Sequence, residues 1–272
     1  MVDVVIPSYQ RPELTSEAVQ SVLKQSYSSF HLYVIEDGSK TLQLPADDRI
    51  TLIQLEQNRG PAFCRNYGAS LGQADYLAFL DSDDLWHEEK LQKQIDFFTN
   101  SDLGWQHTGE SWWRDGNRVK QKKIHLKQAG RFLERAFARC LISPSSVMFR
   151  RPFWQKFGGF LPHLMVAEDY ELWLRLLFHS AVGFIDEPLT LKRAGDWPQL
   201  SQTIEIDRYR VLALHRFHRL FKKHADYQNW HSSWYAAITQ KIDYLCRGAE
   251  KHNRPERLRQ YQSWASAIER LC

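Results

Sequence analysis

Tyr76-Leu77-Ala78-Phe79-Leu80-Asp81-Ser82-Asp83-Asp84 passes from an unbroken apolar run into three carboxylates within four residues. Such a run reads as a strand buried on both faces that delivers its charge at its carboxyl end. Like charges held this close are costly without a cation. Asp81 and Asp83 lie two apart, and an extended backbone points both the same way. Hard oxygens of this kind suit Mg²⁺ or Mn²⁺ shared with substrate phosphates. The plainer alternative is an acidic turn ahead of the helix that starts near Glu88.

Working outward, strand and helix alternate on the N-terminal side. Apolar runs over 2–7, 32–35 and 50–55 read as three more strands, and helical periodicity covers 13–25, 61–71 and 88–98. This is an α/β unit with a mainly parallel central sheet. Ligands of such sheets bind beyond the carboxyl ends of the strands. Two further ends carry polar groups, Pro7-Ser8-Tyr9 and Glu36-Asp37-Gly38-Ser39, and neighbouring strands would bring all three ends to one crevice.

The pattern changes near Leu103. Residues 112–117 read as a hairpin, 120–127 as a polar, mobile segment, 145–150 and 182–191 as later strands, and 169–179 as a helix between them. Past Gln202 the chain reads as helices broken near 226–229 and 252–255. The expected organisation is a catalytic domain over 1–202, with a nucleotide-sugar half (1–100) and an acceptor half (101–202), followed by a helical C-terminal extension over 203–272.

Five stretches in order then carry a resemblance: Val5-Ile6-Pro7-Ser8-Tyr9; Glu36-Asp37-Gly38-Ser39; Asn58-Arg59-Gly60 with Arg65-Asn66-Tyr67-Gly68; Phe79-Leu80-Asp81-Ser82-Asp83-Asp84; and Glu168-Asp169-Tyr170-Glu171-Leu172-Trp173. Over roughly 2–202 the chain resembles the family 2 inverting glycosyltransferases. It would then share their Rossmann-like nucleotide-diphospho-sugar transferase (GT-A) fold. The resemblance implies a metal-dependent enzyme that moves a sugar from a nucleotide-diphosphate sugar, a UDP-sugar first, onto an acceptor hydroxyl. Glycan or lipid-linked acceptors of cell-surface polysaccharide or glycolipid synthesis come first. Asp37 would bind the donor's base, with Pro7 and Tyr9 lining that pocket. Arg65 would lie near the base or diphosphate and Asp81 near the ribose. Asp83 would hold Mn²⁺ or Mg²⁺, and Asp169 would be the catalytic base.

Those roles also stand on chemistry. A diphosphate leaving group gathers negative charge as the sugar–oxygen bond breaks, and a divalent cation offsets it. Asp169 opens a helix, whose positive end favours a negative side chain; a plain N-cap is the alternative role. Where related sequences often place a histidine that completes the metal shell, this chain places Asp196. Arg193 is read as a phosphate contact or a surface ion pair. Of Trp105, Trp112, Trp113 and Trp154, one or two are candidates for an acceptor platform and core packing is the reading for the others, whereas His107 and Cys140 read as structural.

Composition bounds the rest. The 272 residues are 43% hydrophobic and 25% charged, an ordinary globular balance. Cys64, Cys140, Cys246 and Cys272 lack CxxC spacing, so neither a zinc site nor a disulfide framework is indicated. No run is long and apolar enough to cross a bilayer and no leader is apparent, which points to the cytoplasm. Residues 207–272 hold 13 Lys/Arg and 6 Asp/Glu, a net +7 that leaves −3 for 1–206. With Trp230, Trp234, Tyr235 and Trp264 interleaved, these basic helices suggest an anionic membrane surface on its inner face, a homodimer contact, or packing on the catalytic domain. No nucleic-acid motif accompanies them.

The rival enzyme reading is a sugar nucleotidyltransferase, and the non-enzyme reading is a nucleotide- or carbohydrate-binding module without activity. The absence of a Gly-rich loop after the first strand weighs against the former, as against dehydrogenases and P-loop NTPases.

Overall fold

The computed structural model describes residues 1–271; Cys272 lies outside the described residues. β1 (Val2–Ser8), β2 (Phe30–Glu36), β3 (Ile50–Gln54) and β4 (Tyr76–Phe79) pair in parallel in the order β3-β2-β1-β4. The helices α1 (Pro12–Leu23) and α2 (Pro61–Leu71) cover opposite faces, and each starts on a proline. Proline suits the first helical turn because its missing N–H would have no partner there.

α3 (Lys90–Thr99) leads into the second half. β5 (Leu85–Trp86), β6 (Trp105–Arg114), β7 (Asn117–Val119), β8 (Val147–Arg150) and β9 (Gly183–Ala194) extend the sheet to β3-β2-β1-β4-β8-β6-β9-β5, with β7 hairpinned onto β6. The sheet is therefore mixed. Its first four strands are parallel, β8 runs antiparallel to β4 and β6, and β6 returns to parallel pairing with β9. The strand β6 starts earlier than periodicity suggests because Trp105, Gln106, His107 and Thr108 are all buried, which hides any alternation.

Alternate residues of β1 feed two cores. Val2, Val4 and Ile6 pack with α1 and α3, while Val5 joins the larger core on the other face. Asp3 points into that second face and is fully buried. It is held by the Arg151 guanidinium, which opens α5 (Arg151–Phe157), and by the Ala74 N–H at 2.9 Å.

The larger core also takes α4 (Leu133–Ala138), α6 (Glu168–His179) and the C-terminal helices α7 (Ile206–Phe221), α8 (Gln228–Lys251) and α9 (Pro255–Glu269). Phe178 of α6 stacks on Phe221 with ring centroids 4.0 Å apart, and Phe137 meets Phe217 edge-on at 5.1 Å. Trp234 is fully buried and donates to the Leu214 carbonyl at 2.8 Å. Trp230, Tyr235 and Trp264 pack half-buried against the same core. These four rings of the basic helices thus serve packing, while Tyr244 of α8 stays exposed. Among the described residues no helix is long and apolar enough to cross a membrane.

Candidate active site

Parallel pairing puts the ends of β1, β2 and β4 on one edge. The Asp37 N–H donates to the Ser8 carbonyl at 2.7 Å, which ties the first two ends together. The Asp37 carboxylate accepts the Arg59 N–H at 2.7 Å and the Gly60 N–H at 2.9 Å, and so shapes the loop that enters α2. Gly38 permits this approach: its φ is +83°, and a Cβ there would sit 2.6 Å from the Asn58 nitrogen. A carboxylate has about four acceptor positions, so Asp37 retains capacity for a ligand. Pro7 lies buried within β1 and Tyr9 is exposed just past its end.

Arg65 sits on the buried face of α2 and acts as a clasp. One terminal nitrogen donates to Asp81 at 2.6 Å and the other to Glu168 at 2.8 Å, with the Phe160 ring 5.0 Å from the guanidinium carbon. Burial pushes the Asp81 carboxyl up, but Arg65 and Lys192 more than offset this and hold it low. Burial pushes Glu168 up to about 7 despite Arg65, with Asp169 adding repulsion. Asp84 is likewise raised to about 7 by burial, against the pull of Lys192, which reaches it at 2.7 Å.

Asp83 faces a different set of donors. Its Oδ2 accepts from Arg11 at 3.1 Å, Trp197 at 3.2 Å and Gln199 at 3.2 Å. Arg193 bonds the Asp83 carbonyl at 2.7 Å and pairs with Glu17, so it is engaged by protein on both sides. From the segment expected to complete a metal shell, Trp197 and Gln199 reach Asp83, while Asp196 is exposed. Among the described residues no three His, Cys, Asp or Glu side chains form a ready cage for a metal ion. What the edge offers is one carboxylate, Asp83, beside Asp81. That donor set fits Mg²⁺ or Mn²⁺ held by one or two carboxylates plus substrate phosphates, and it does not fit a closed protein cage.

Asp169 lies in the first turn of α6. The capping position belongs to Ala167, which takes a left-handed φ of 62°. Asp169 Oδ1 accepts the Tyr170 N–H at 2.6 Å, and Oδ2 lies 3.4 Å from the Cys140 sulfur. Burial, then the neighbouring Asp169, push the Cys140 thiol well up, so it stays a donor. The clasp brings Asp81 and Glu168 together, and with Glu168 comes Asp169.

Contacts that escaped the sequence reading include Arg11, Glu168, Lys192, Trp197 and Gln199, and Cys140, read there as structural, touches Asp169. Glu168 and Lys192 could have been suspected from their places beside Asp169 and Arg193; nothing local marks Arg11 or Cys140. Of the platform candidates, Trp105 is fully buried in a stack with Phe149 and Trp173, and Trp154 is core, whereas Trp112 and Trp113 are half-buried on β6.

A sequence profile described as Glycosyl transferase family 2 matches residues 3–157. The chain belongs to this family. As a family 2 glycosyltransferase it is 30% identical over 185 residues to the putative teichuronic acid biosynthesis glycosyltransferase TuaG of Bacillus subtilis, covering 65% of this chain and 72% of TuaG. It is 28% identical over 253 residues to the Escherichia coli UDP-Glc:alpha-D-GlcNAc-diphosphoundecaprenol beta-1,3-glucosyltransferase WfgD, covering 84% of this chain and 97% of WfgD. Two longer relatives match over only 33% and 32% of their own length. The fold matches S. aureus TarS 1–349 in complex with UDP-GlcNAc at a TM-score of 0.64 and 16% identity, covering 98% of this chain and 92% of that one. These likenesses make the chain a nucleotide-sugar glycosyltransferase of the GT-A fold.

Proposed function

We propose that this glycosyltransferase moves a sugar, with inversion, from a UDP-sugar to a hydroxyl of a lipid-linked glycan in the synthesis of cell-surface polysaccharide. The activity for which WfgD is named and the UDP-GlcNAc complex of TarS support the donor and acceptor classes. The observation that carries the chemistry is the Arg65 clasp, which sets Asp81 on the donor side against the start of α6 on the acceptor side.

In this reading residues 1–100 bind the donor, 101–202 the acceptor, and 203–272 form a helical extension. Asp37, Pro7 and Tyr9 receive the base, and Asp81 the ribose. Asp169 takes the proton of the acceptor hydroxyl as its oxygen attacks the anomeric carbon; the bond to the diphosphate breaks on the opposite side, and UDP leaves. The side-chain cations Arg11, Arg65 and Lys192 already face the carboxylates Asp81, Asp83, Asp84 and Glu168, so these cations are matched before a diphosphate arrives. A divalent ion held by Asp83 would supply positive charge to the departing phosphates. Asp196 could join it only if its exposed loop turned inward.

The test is a thermal-shift panel of nucleoside diphosphates with and without Mn²⁺. A ligand at a hundred times its dissociation constant should add about 2.7 kcal/mol. UDP should stabilise more with Mn²⁺ present, and Asp83→Ala should remove that difference. Asp169→Asn should keep UDP binding and lose transfer; near-full transfer by this variant would remove Asp169 as the base. UDP binding without any release of UDP from UDP-sugars would favour an inactive binding module.

A further inference from the structure

We propose that the exposed face of α7, with the adjoining 162–165 loop, is a docking surface for an anionic lipid bilayer. The proposal rests on the lipid-linked acceptor reading for its purpose, since it would bring the enzyme to the plane where such an acceptor lies.

The helix α7 has two faces. Val211, Leu214, Phe217, His218 and Phe221 are buried against the core. On the opposite side Leu212, Arg216, Arg219 and Leu220 recur at helical spacing, and Lys223 follows in the turn just past the helix end. Leu212 is 41% exposed and Leu220 47%. These two leucines share an open groove of roughly 380 Å³ with Leu164, His163, Arg216 and Arg219. Next to it in the chain Met165 is 61% exposed, four residues before Asp169. Apolar side chains are therefore presented together, rimmed by cations, beside the loop that leads to the candidate base.

Charge identifies the occupant. Residues 208–225 hold six Lys/Arg and no Asp/Glu. Arg210 is paired with Asp207 and Arg216 with Glu171, which leaves Arg208, Arg219, Lys222 and Lys223 without an ion-pair partner among the described residues. A second copy docking symmetrically by this same face would meet like charge and be repelled. A surface that is negative and apolar beneath, as an anionic bilayer is, matches both features. The tryptophans of α8 and α9 are spent in the core, so α7 rather than they would make the contact.

The test uses the full chain and co-sedimentation with vesicles of phosphatidylcholine alone or mixed equally with phosphatidylglycerol. The wild type should partition onto the mixed vesicles and much less onto the neutral ones. Leu212→Glu/Leu220→Glu and, separately, Arg219→Glu/Lys223→Glu should each weaken partitioning by about tenfold or more. Both variants should keep the melting temperature and the UDP release of the wild type. Undiminished partitioning by the folded variants, equal binding to neutral vesicles, or a dimer that both variants dissolve would overturn the proposal. Intact vesicle binding with transfer only to soluble acceptors would instead sink the lipid-linked reading and leave the surface standing.

Discussion

Arg65 and Glu168, 103 positions apart in sequence, form a buried ion pair of 2.8 Å that joins α2 to the start of α6. The same guanidinium serves Asp81 through its other terminal nitrogen, so its planar fork spans two carboxylates. Arg65→Leu should therefore cost ~3–5 kcal/mol, because it leaves Glu168 buried beside Asp169 with no cation. Arg65→Lys should recover little of this, since a single ammonium cannot reproduce the fork. Urea unfolding of the three proteins decides it; a Lys variant as stable as the wild type would show that charge alone suffices.

The pH dependence of stability should carry the mark of Glu168. Its folded carboxyl is raised to about 7, above its ordinary 4.5, so the folded state binds the proton more tightly than the unfolded chain. Its contribution is then fully present below pH about 4.5 and is lost as pH climbs through about 7. The wild type should lose about 1–3 kcal/mol on this account over that window. Glu168→Gln should flatten that slope in urea midpoints taken at pH 5, 6, 7 and 8. An unchanged slope would assign the loss elsewhere, with Asp84, also raised to about 7, the next group to examine.

If Asp169 is the base, as proposed, Cys140 is placed to position it rather than to react. Its thiol lies 3.4 Å from Asp169 Oδ2 and 3.3 Å from the Ile142 carbonyl. Cys140→Ala should lower kcat by about 3- to 10-fold, in line with loss of one hydrogen bond, while leaving donor KM unchanged and moving the acid limb of the pH–rate profile. Cys140→Ser should restore most of the rate. If alanine and serine behave alike in rate and profile, the contact has no part in setting the base.

Gly38→Ala should damage donor binding before it damages the fold. The +83° φ and a Cβ 2.6 Å from the Asn58 nitrogen force the 57–60 loop away from Asp37. Left-handed strain and the shifted loop should cost about 1–3 kcal/mol. UDP affinity, read by calorimetry, should fall further than the melting temperature alone implies. A variant with unaltered affinity would separate the loop from the base pocket.

Much of the N-terminal half was legible because its elements are locally determined. The runs at Leu32 and Tyr76 are apolar throughout, as strands covered on both faces must be, whereas Asp3 interrupts the first run and Thr51 and Gln54 interrupt the edge strand β3. Pro12 and Pro61 mark the helix starts, and 61–71 is α2 to the residue. The second half was less legible because its pairings are long-range. The antiparallel β8 between β4 and β6, and the early start of β6, leave no periodic trace. Which of the four tryptophans lie in the core was hidden for the same reason: a ring in a core, as Trp105 and Trp154 are, and a ring awaiting a sugar look alike in sequence.

From its residues alone this chain is committed to an α/β fold with acidic strand ends, because apolar runs and charges two apart act over a few residues. Which cation answers which acid was decided only by folding: Arg65 with Asp81 and Glu168, Lys192 with Asp84, and Arg11 with Asp83. Ion pairing reaches a few ångströms in space and is indifferent to separation along the chain, so no local pattern encodes it.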